Sequence, residues 1–301
     1  MTTSNRKDCY TEITNAIIGD LEKGIRPWIR PWDAGVAPCR PLRNNGEPYR
    51  GINVLWLWRA AAVAGYTSPY WFTFRQALEF GGHVRKGEKS SLVVYANLYT
   101  KTEEDDDREP RERHIPFLKA YSVFNADQIE NIPPRFTAAS AAGDDMNFDH
   151  WPNALAEEFF TNTGAALRED GSRAYYSVLE DAVYMPPLGK FEEAERYYST
   201  LAHEMTHWTG HPTRVPRNFP RTVFGTSNYA REELVAELGA AFLCADLGLS
   251  LTPRTDHADY IGNWLQVLRN DKRAIFQAAA LAQKATDFLH HLQPAAIETA
   301  A

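Results

Sequence analysis

Little in this 301-residue sequence supports a scaffold held by covalent cross-links or by a membrane. It has three cysteines, Cys9, Cys39 and Cys244, odd in number and far apart. That excludes a disulfide framework and points to a reducing compartment. Long hydrophobic runs are also missing: the longest apolar stretch, around Val54 to Gly65, is interrupted by Arg59 and is too short to span a bilayer. The opening residues, MTTSNRKDCY, lack the apolar region of a signal peptide. There is no internal repeat. These absences leave a soluble, cytoplasmic protein, long enough to bury a substantial core and to divide into two domains.

What is present is unevenly distributed. The formal net charge is −7, yet residues 1–100 carry 13 Lys/Arg against 8 Asp/Glu. Residues 101–113 carry 4 against 7, and the remainder 15 against 24. A basic first third followed by an acidic remainder predicts two modules with different partners. The boundaries expected are 1–134 for the first, 135–146 for a linker rich in small residues, and 147–301 for the second.

In the first module, Ile13, Ile17, Ile18 and Leu21 share a helical face that stops at Gly24. Further helices are predicted over Ile52 to Ala64, closed by Gly65, and over Thr73 to Phe80. Ser91 to Thr100 and Phe117 to Asn125 read as strands, with the charge block between them as a solvated hairpin loop. In the second module, helices are expected at Asn153 to Asn162, Glu192 to Thr209, Tyr229 to Leu247 (capped by Asn228) and Ala258 to Leu292, with a break near Asn270. Ala174 to Met185 reads as one strand at a sheet edge, where an extended peptide would pair by strand addition.

The chemistry concentrates at His203-Glu204-Met205-Thr206-His207. Residues four apart on a helix lie one above the other, so His203 and His207 can offer two imidazoles to one metal ion. Glu204 beside the first ligand is then the general base of the H-E-x-x-H arrangement. A catalytic site needs a third protein ligand. The form HExxHxxGxxH fails here, because Gly210 is in place but the next required histidine is Thr213, and His211 comes too early. A downstream helix supplies the alternative: Glu233 is the preferred third ligand, with Glu232 as its rival. Glu237, one turn on, is placed to fix the tautomer of a ligand histidine. Tyr229, Arg231, His211 and Arg214 are oxyanion candidates whose ordinary role is structural. The expected ion is zinc, with manganese or another divalent ion left open.

The first module interleaves aromatic and basic residues, the combination that binds single-stranded nucleic acid by stacking bases and tracking phosphates. Rings in irregular Pro- or Gly-flanked segments, Trp28, Trp32, Tyr49 and Tyr70, are the stacking candidates. Arg30, Arg50, Arg75, Arg85, Lys86 and Lys89 are the cationic ones. Trp56, Trp58 and Phe74, set in helical patterns, are read as core.

The stretches YTEITNAIIGDLEKGIRPWIRPW, GEPYRGINVLWLW, YWFTFRQALEFGGHVRKGEKS and LKAYSVFNADQIENIP, followed by EDAVYMPPLGKF, LAHEMTHWTGHPTR and YAREELVAELGAAFL, run in the order found in one family. Through them the chain resembles plasmid-encoded antirestriction proteins of the ArdC family over nearly its whole length. The resemblance implies an α+β protein of two domains, an N-terminal α+β domain that binds single-stranded DNA and a C-terminal zincin-like metallopeptidase domain. The first is also related to N-terminal parts of some plasmid primases. It further implies His203, His207 and Glu233 as metal ligands and Glu204 as base. The implied role is protection of incoming plasmid DNA from host restriction during conjugation, in the cytoplasm and with transfer to the recipient cell. The competing expectation is an active zinc peptidase that cleaves a host protein and uses DNA binding for recruitment.

Overall fold

A computed structural model describes residues 8–29, 39–105, 108–137, 153–217, 226–251 and 258–294. Helix α1 (Cys9–Leu21) is capped by Asp8 and buries the predicted face of Ile13, Ile17, Ile18 and Leu21. Helix α2 (Ile52–Ala64) ends at Gly65, whose φ of 72° is the left-handed conformation that only glycine adopts without strain. Helix α3 (Phe74–Glu79) starts with a capping box between Thr73 and Gln76. Strands β1 (Leu42–Arg43), β2 (Tyr70–Phe72), β4 (Ser91–Asp105) and β5 (Arg108–Asn125) form a sheet of order β1-β2-β5-β4. Beside it, β3 (His83–Val84) pairs with β6 (Ile129–Glu130).

The second half begins with α4 (Ala154–Asn162), capped by Asn153. Strands β7 (Ala166–Glu169), β8 (Tyr175–Ser177) and β9 (Ala182–Met185) follow in a sheet of order β7-β9-β8, with β7 parallel to β9. Helices α5 (Ala194–Thr209), α6 (Ser227–Asp246), α7 (Ala258–Asn270) and α8 (Ala274–His291) complete the described chain. No described helix is long and apolar enough to cross a membrane.

Three sequence expectations change. The charge block is not a loop, because β4 and β5 run through most of it, with Glu103 opposite Arg111 and Asp105 opposite Arg108. The single strand expected over 174–185 is a hairpin, β8 and β9, turned at Asp181 with a positive φ of 47°. Thr226, not Asn228, caps α6, its hydroxyl accepting from the Tyr229 amide. Most of the expected linker lies outside the described residues.

Helix α6 is buried continuously from Glu233 to Ala245, which makes it the central rod of the molecule. One side meets α5, and the other faces a core that the two halves of the chain share. That core joins Ile17, Trp28, Leu55 and Trp58 to Leu234, Leu238, Phe242, Trp264 and Ile275. Polar clasps reinforce it. Arg40, 4 % exposed, donates from Nη1 to Gln283 Oε1 at 2.8 Å and pairs with both carboxylate oxygens of Asp246 on α6. The Thr14 hydroxyl donates to the Lys272 carbonyl at 2.8 Å.

Helices α5 and α6 are in tight contact where Gly239 faces Thr206, since a Cβ at residue 239 would lie 2.5 Å from the Thr206 side chain. Any larger residue therefore forces the two helices apart. Gly239→Ala is expected to destabilise the protein by about 1–3 kcal/mol in urea unfolding. Part of that loss should return when Thr206→Ala is added, and an additive double variant would contradict the contact.

Candidate metal centre

The approach of α5 to α6 sets the site. His203 and His207 are one turn apart on α5 and face Glu233 on α6, and each of the three offers one ligand atom within 4.8 Å of the others. The two Nε2 atoms are 3.2 Å apart, and the Glu233 carboxylate lies 3.4 Å from that of His203 and 3.6 Å from that of His207. His203, Glu204 and Glu233 are buried, at 2, 4 and 7 % exposure.

The other ring nitrogens point at other carboxylates. His207 Nδ1 lies 3.0 Å from Glu232 Oε1, and His203 Nδ1 lies 3.7 Å from Glu237 Oε1. A carboxylate facing Nδ1 favours the tautomer that carries its proton there, leaving a lone pair on Nε2. Two such lone pairs, turned toward each other beside a buried carboxylate, repel unless a proton or a metal ion sits between them. The donor set therefore fits a divalent ion. Glu232, the rival third ligand in the sequence, turns instead to His207 Nδ1 and to Arg217.

Electrostatics carry the same message. Burial works to lower the His207 pKa, but the hydrogen bond to Glu232 and the charges of Glu233, Glu232 and Glu204 lift it to about 9. Burial alone would raise the Glu233 pKa. The contact with His203, the charges of both histidines and the Tyr229 hydroxyl hold it well below the usual carboxylate range.

Arg217 was not singled out by sequence reasoning. Its guanidinium is 2 % exposed, pairs with Glu232, and donates to the Thr206 carbonyl and the Thr209 hydroxyl. No motif marks it, because a loop brings it back over the end of α5. Among the oxyanion candidates only Tyr229 lies at the site, beside Glu233 and 3.1 Å from the Tyr260 hydroxyl. Arg231 pairs with Asp271, Arg214 with Asp181, and His211 with Thr213.

The stacking candidates scatter. Trp28 is 1 % exposed and Tyr49 is 7 % exposed, so both rings are core and neither is available to a base. Their Pro- and Gly-flanked setting, taken as a sign of exposure, instead lets the chain turn back onto α6 to α8. Tyr70 is half-buried against Phe136. Arg50 is exposed and pairs with Asp287. Arg75, Arg85, Lys86 and Lys89 are exposed together on α3 and the turn before β4, with Arg75 paired to Glu79 and Arg85 to Glu88. Arg30 and Trp32 lie outside the described residues. Phe74, read as core, is 55 % exposed.

An HExxH helix, a glutamate on the following helix and a small mixed sheet define a zincin-like metallopeptidase domain, joined to a second α+β domain. Family models agree. Residues 154–281 match a zincin-like metallopeptidase and residues 7–124 match the N-terminal domain of anti-restriction factor ArdC. The chain is similar to the metal-free crystal structure of antirestriction protein ArdC from the R388 plasmid, at 46 % identity and a TM-score of 0.79, covering 95 % of this chain and 97 % of that one. The Mn(II)-bound structure of the same protein gives 45 % identity and a TM-score of 0.75, covering 95 % and 98 %. Protein y4eC of Sinorhizobium fredii is 37 % identical over 95 % of this chain and 92 % of its own length. DNA primase TraC of Escherichia coli is 33 % identical over 94 % of this chain, which corresponds to 27 % of the primase. The chain belongs to the ArdC family of antirestriction proteins.

In the metal-free protein the raised His207 pKa has a definite sign. Its folded value of about 9 lies above the ordinary 6.5, so the protonated ring stabilises the fold fully below pH 6.5 and that contribution is lost as pH rises toward 9. A metal ion must displace the same proton. Divalent-ion affinity, measured by calorimetric titration, is therefore expected to rise from pH 6.5 to 9, and Glu232→Gln should flatten that rise.

Proposed function

We propose that this protein is an antirestriction factor whose N-terminal domain binds single-stranded DNA and whose C-terminal domain carries a zinc-peptidase-type site. The observation that carries the reading is the His203–His207–Glu233 cluster, with His203 and Glu233 buried, in a chain that is similar over 95 % of its length to an antirestriction protein. Two imidazoles and a carboxylate suit zinc, and the Mn(II)-bound relative makes manganese the ion to compare with it. The action belongs in the cytoplasm, where incoming plasmid DNA meets host restriction.

His203 and His207 hold the ion through Nε2 and Glu233 through its carboxylate, while Glu237 and Glu232 orient the two rings. Once bound, a divalent ion polarises a peptide carbonyl and acidifies water. Glu204, buried and next to His203 in sequence, would accept a proton and return it to a leaving amine. That role for Glu204 is what the second reading requires, a peptidase that cuts a host protein and uses DNA for recruitment.

For DNA, the support is the basic first hundred residues and the exposed group Arg75, Arg85, Lys86 and Lys89. With Trp28 and Tyr49 buried, the rings placed to stack are Phe74, Tyr95 and Tyr121, which are 55, 47 and 46 % exposed. Tyr95 faces Lys119 and Tyr121 faces Val93 across β4 and β5, which sets the two tyrosines on one sheet face.

Glu204→Ala should retain metal and DNA binding and lose any hydrolysis. Full restriction protection by that variant in a conjugation assay assigns protection to DNA binding, and lost protection assigns it to the peptidase. Tyr121→Ala should weaken single-strand binding about 5- to 100-fold. Affinity should fall steeply with salt. Equal affinity for duplex in a filter-binding assay would sink the stacking reading.

A further inference from the structure

One buried hydrogen bond runs from the N-terminal domain into the metal centre. Trp28 Nε1 donates to Glu237 Oε2 at 3.2 Å, across 209 residues of sequence. The other oxygen of the same carboxylate, Oε1, is the one that faces His203 Nδ1 at 3.7 Å. Trp28, Glu237 and His203 are 1, 6 and 2 % exposed, so solvent does not compete for these groups. The Trp28 ring is itself held in place, with its edge against Trp264 of α7 at a centroid distance of 5.7 Å.

From this geometry we propose that Trp28 is a positioning residue of the metal centre, supplied by the N-terminal domain, which acts on His203 through Glu237. The proposal rests on the metal-site reading above. The chemistry of the donor matters. A lysine or arginine in this place would neutralise Glu237 and weaken its pull on the imidazole. An indole N–H is a donor only and does not titrate, so it fixes the carboxylate while leaving its full negative charge for His203. Glu237 so held keeps its negative charge 3.7 Å from His203 Nδ1, and that charge favours the proton on Nδ1 and the Nε2 lone pair toward Glu233 and His207. Metal affinity in the C-terminal domain therefore depends on the docked N-terminal domain, although no residue of that domain is a ligand.

The test uses the full-length protein and calorimetric titration with Zn2+ and Mn2+ separately. Trp28→Phe keeps a ring in the core and removes the N–H, and it should weaken metal binding about tenfold. Ile17→Val trims the same shared core without removing a group of the Trp28–Glu237–His203 chain, and should change the melting temperature while leaving metal affinity as it was. In a Glu237→Ala background, Trp28→Phe should have no further effect on affinity, because its route to the metal is already cut. Unchanged affinity in Trp28→Phe, or effects of the two substitutions that multiply, would overturn the proposal. Should Trp28→Phe fail to fold, the wild-type protein gives the answer by NMR. Zn2+ should shift the Trp28 indole N–H resonance, assigned through its contacts with Trp264, and a resonance that stays still overturns the proposal. Wild-type protein that takes up neither ion sinks the metal reading and the proposal with it, whereas normal wild-type binding with an unaffected Trp28→Phe sinks the proposal alone.

Discussion

Negative charge gathered in a dry interior is the constraint around which this molecule is arranged. Glu204, Glu233 and Glu237 are buried and Glu232 nearly so, all within reach of two imidazoles on one helix turn. Carboxylates are costly away from water unless each finds a partner. The partners here come from different parts of the chain: Arg217 from the loop after α5, Tyr229 from the start of α6, and Trp28 from the other domain. What these donors leave unbalanced is concentrated where the two Nε2 atoms converge, and a divalent cation would balance it. The position of α6 and the docking of the N-terminal domain therefore answer to the same electrostatic demand.

Packing makes that arrangement stiff. Gly239 lets α5 and α6 approach closely at Thr206, within the ligand turn, and Arg40 ties the far end of α6 to α8 through Asp246 and Gln283. A rod fixed at both ends cannot rotate Glu233 out of line without disturbing the shared core. Glu232 and Glu233 are neighbours in sequence, yet they take different roles because helical geometry turns them about 100° apart. One reaches Nε2 of both histidines and the other reaches Nδ1 of His207.

Much of this was legible in the sequence where a local rule decides the outcome. Gly65 stops α2, Thr73 starts α3 with its box partner Gln76, and the four-residue spacing of His203 and His207 sets both on one helix face. The order of an HExxH helix and a later glutamate helix was also readable, since periodicity and spacing report on single elements. Features that depend on what lies opposite were not readable. Trp28 looked exposed because its neighbours are irregular, but burial is decided by α7, more than two hundred residues away. The charge block looked like loop because each half is polar, and only its register with the other half makes it strand. Arg217 carries no pattern, and its role exists only after the chain folds back over Thr206.

The core shared by both halves bears on how such a unit travels between genomes. A domain that closes over its own core can be copied alone and fused to a new partner. Here Leu234, Phe242 and Trp264 share one buried cluster with Ile17, Trp28 and Trp58, so a recombination event between the halves would leave each with an open apolar face. The match to TraC spans 94 % of this chain inside a primase several times longer, with both halves present together. Selection acting on the cut points would preserve the pair as one indivisible cassette, with viable joins only at its outer ends.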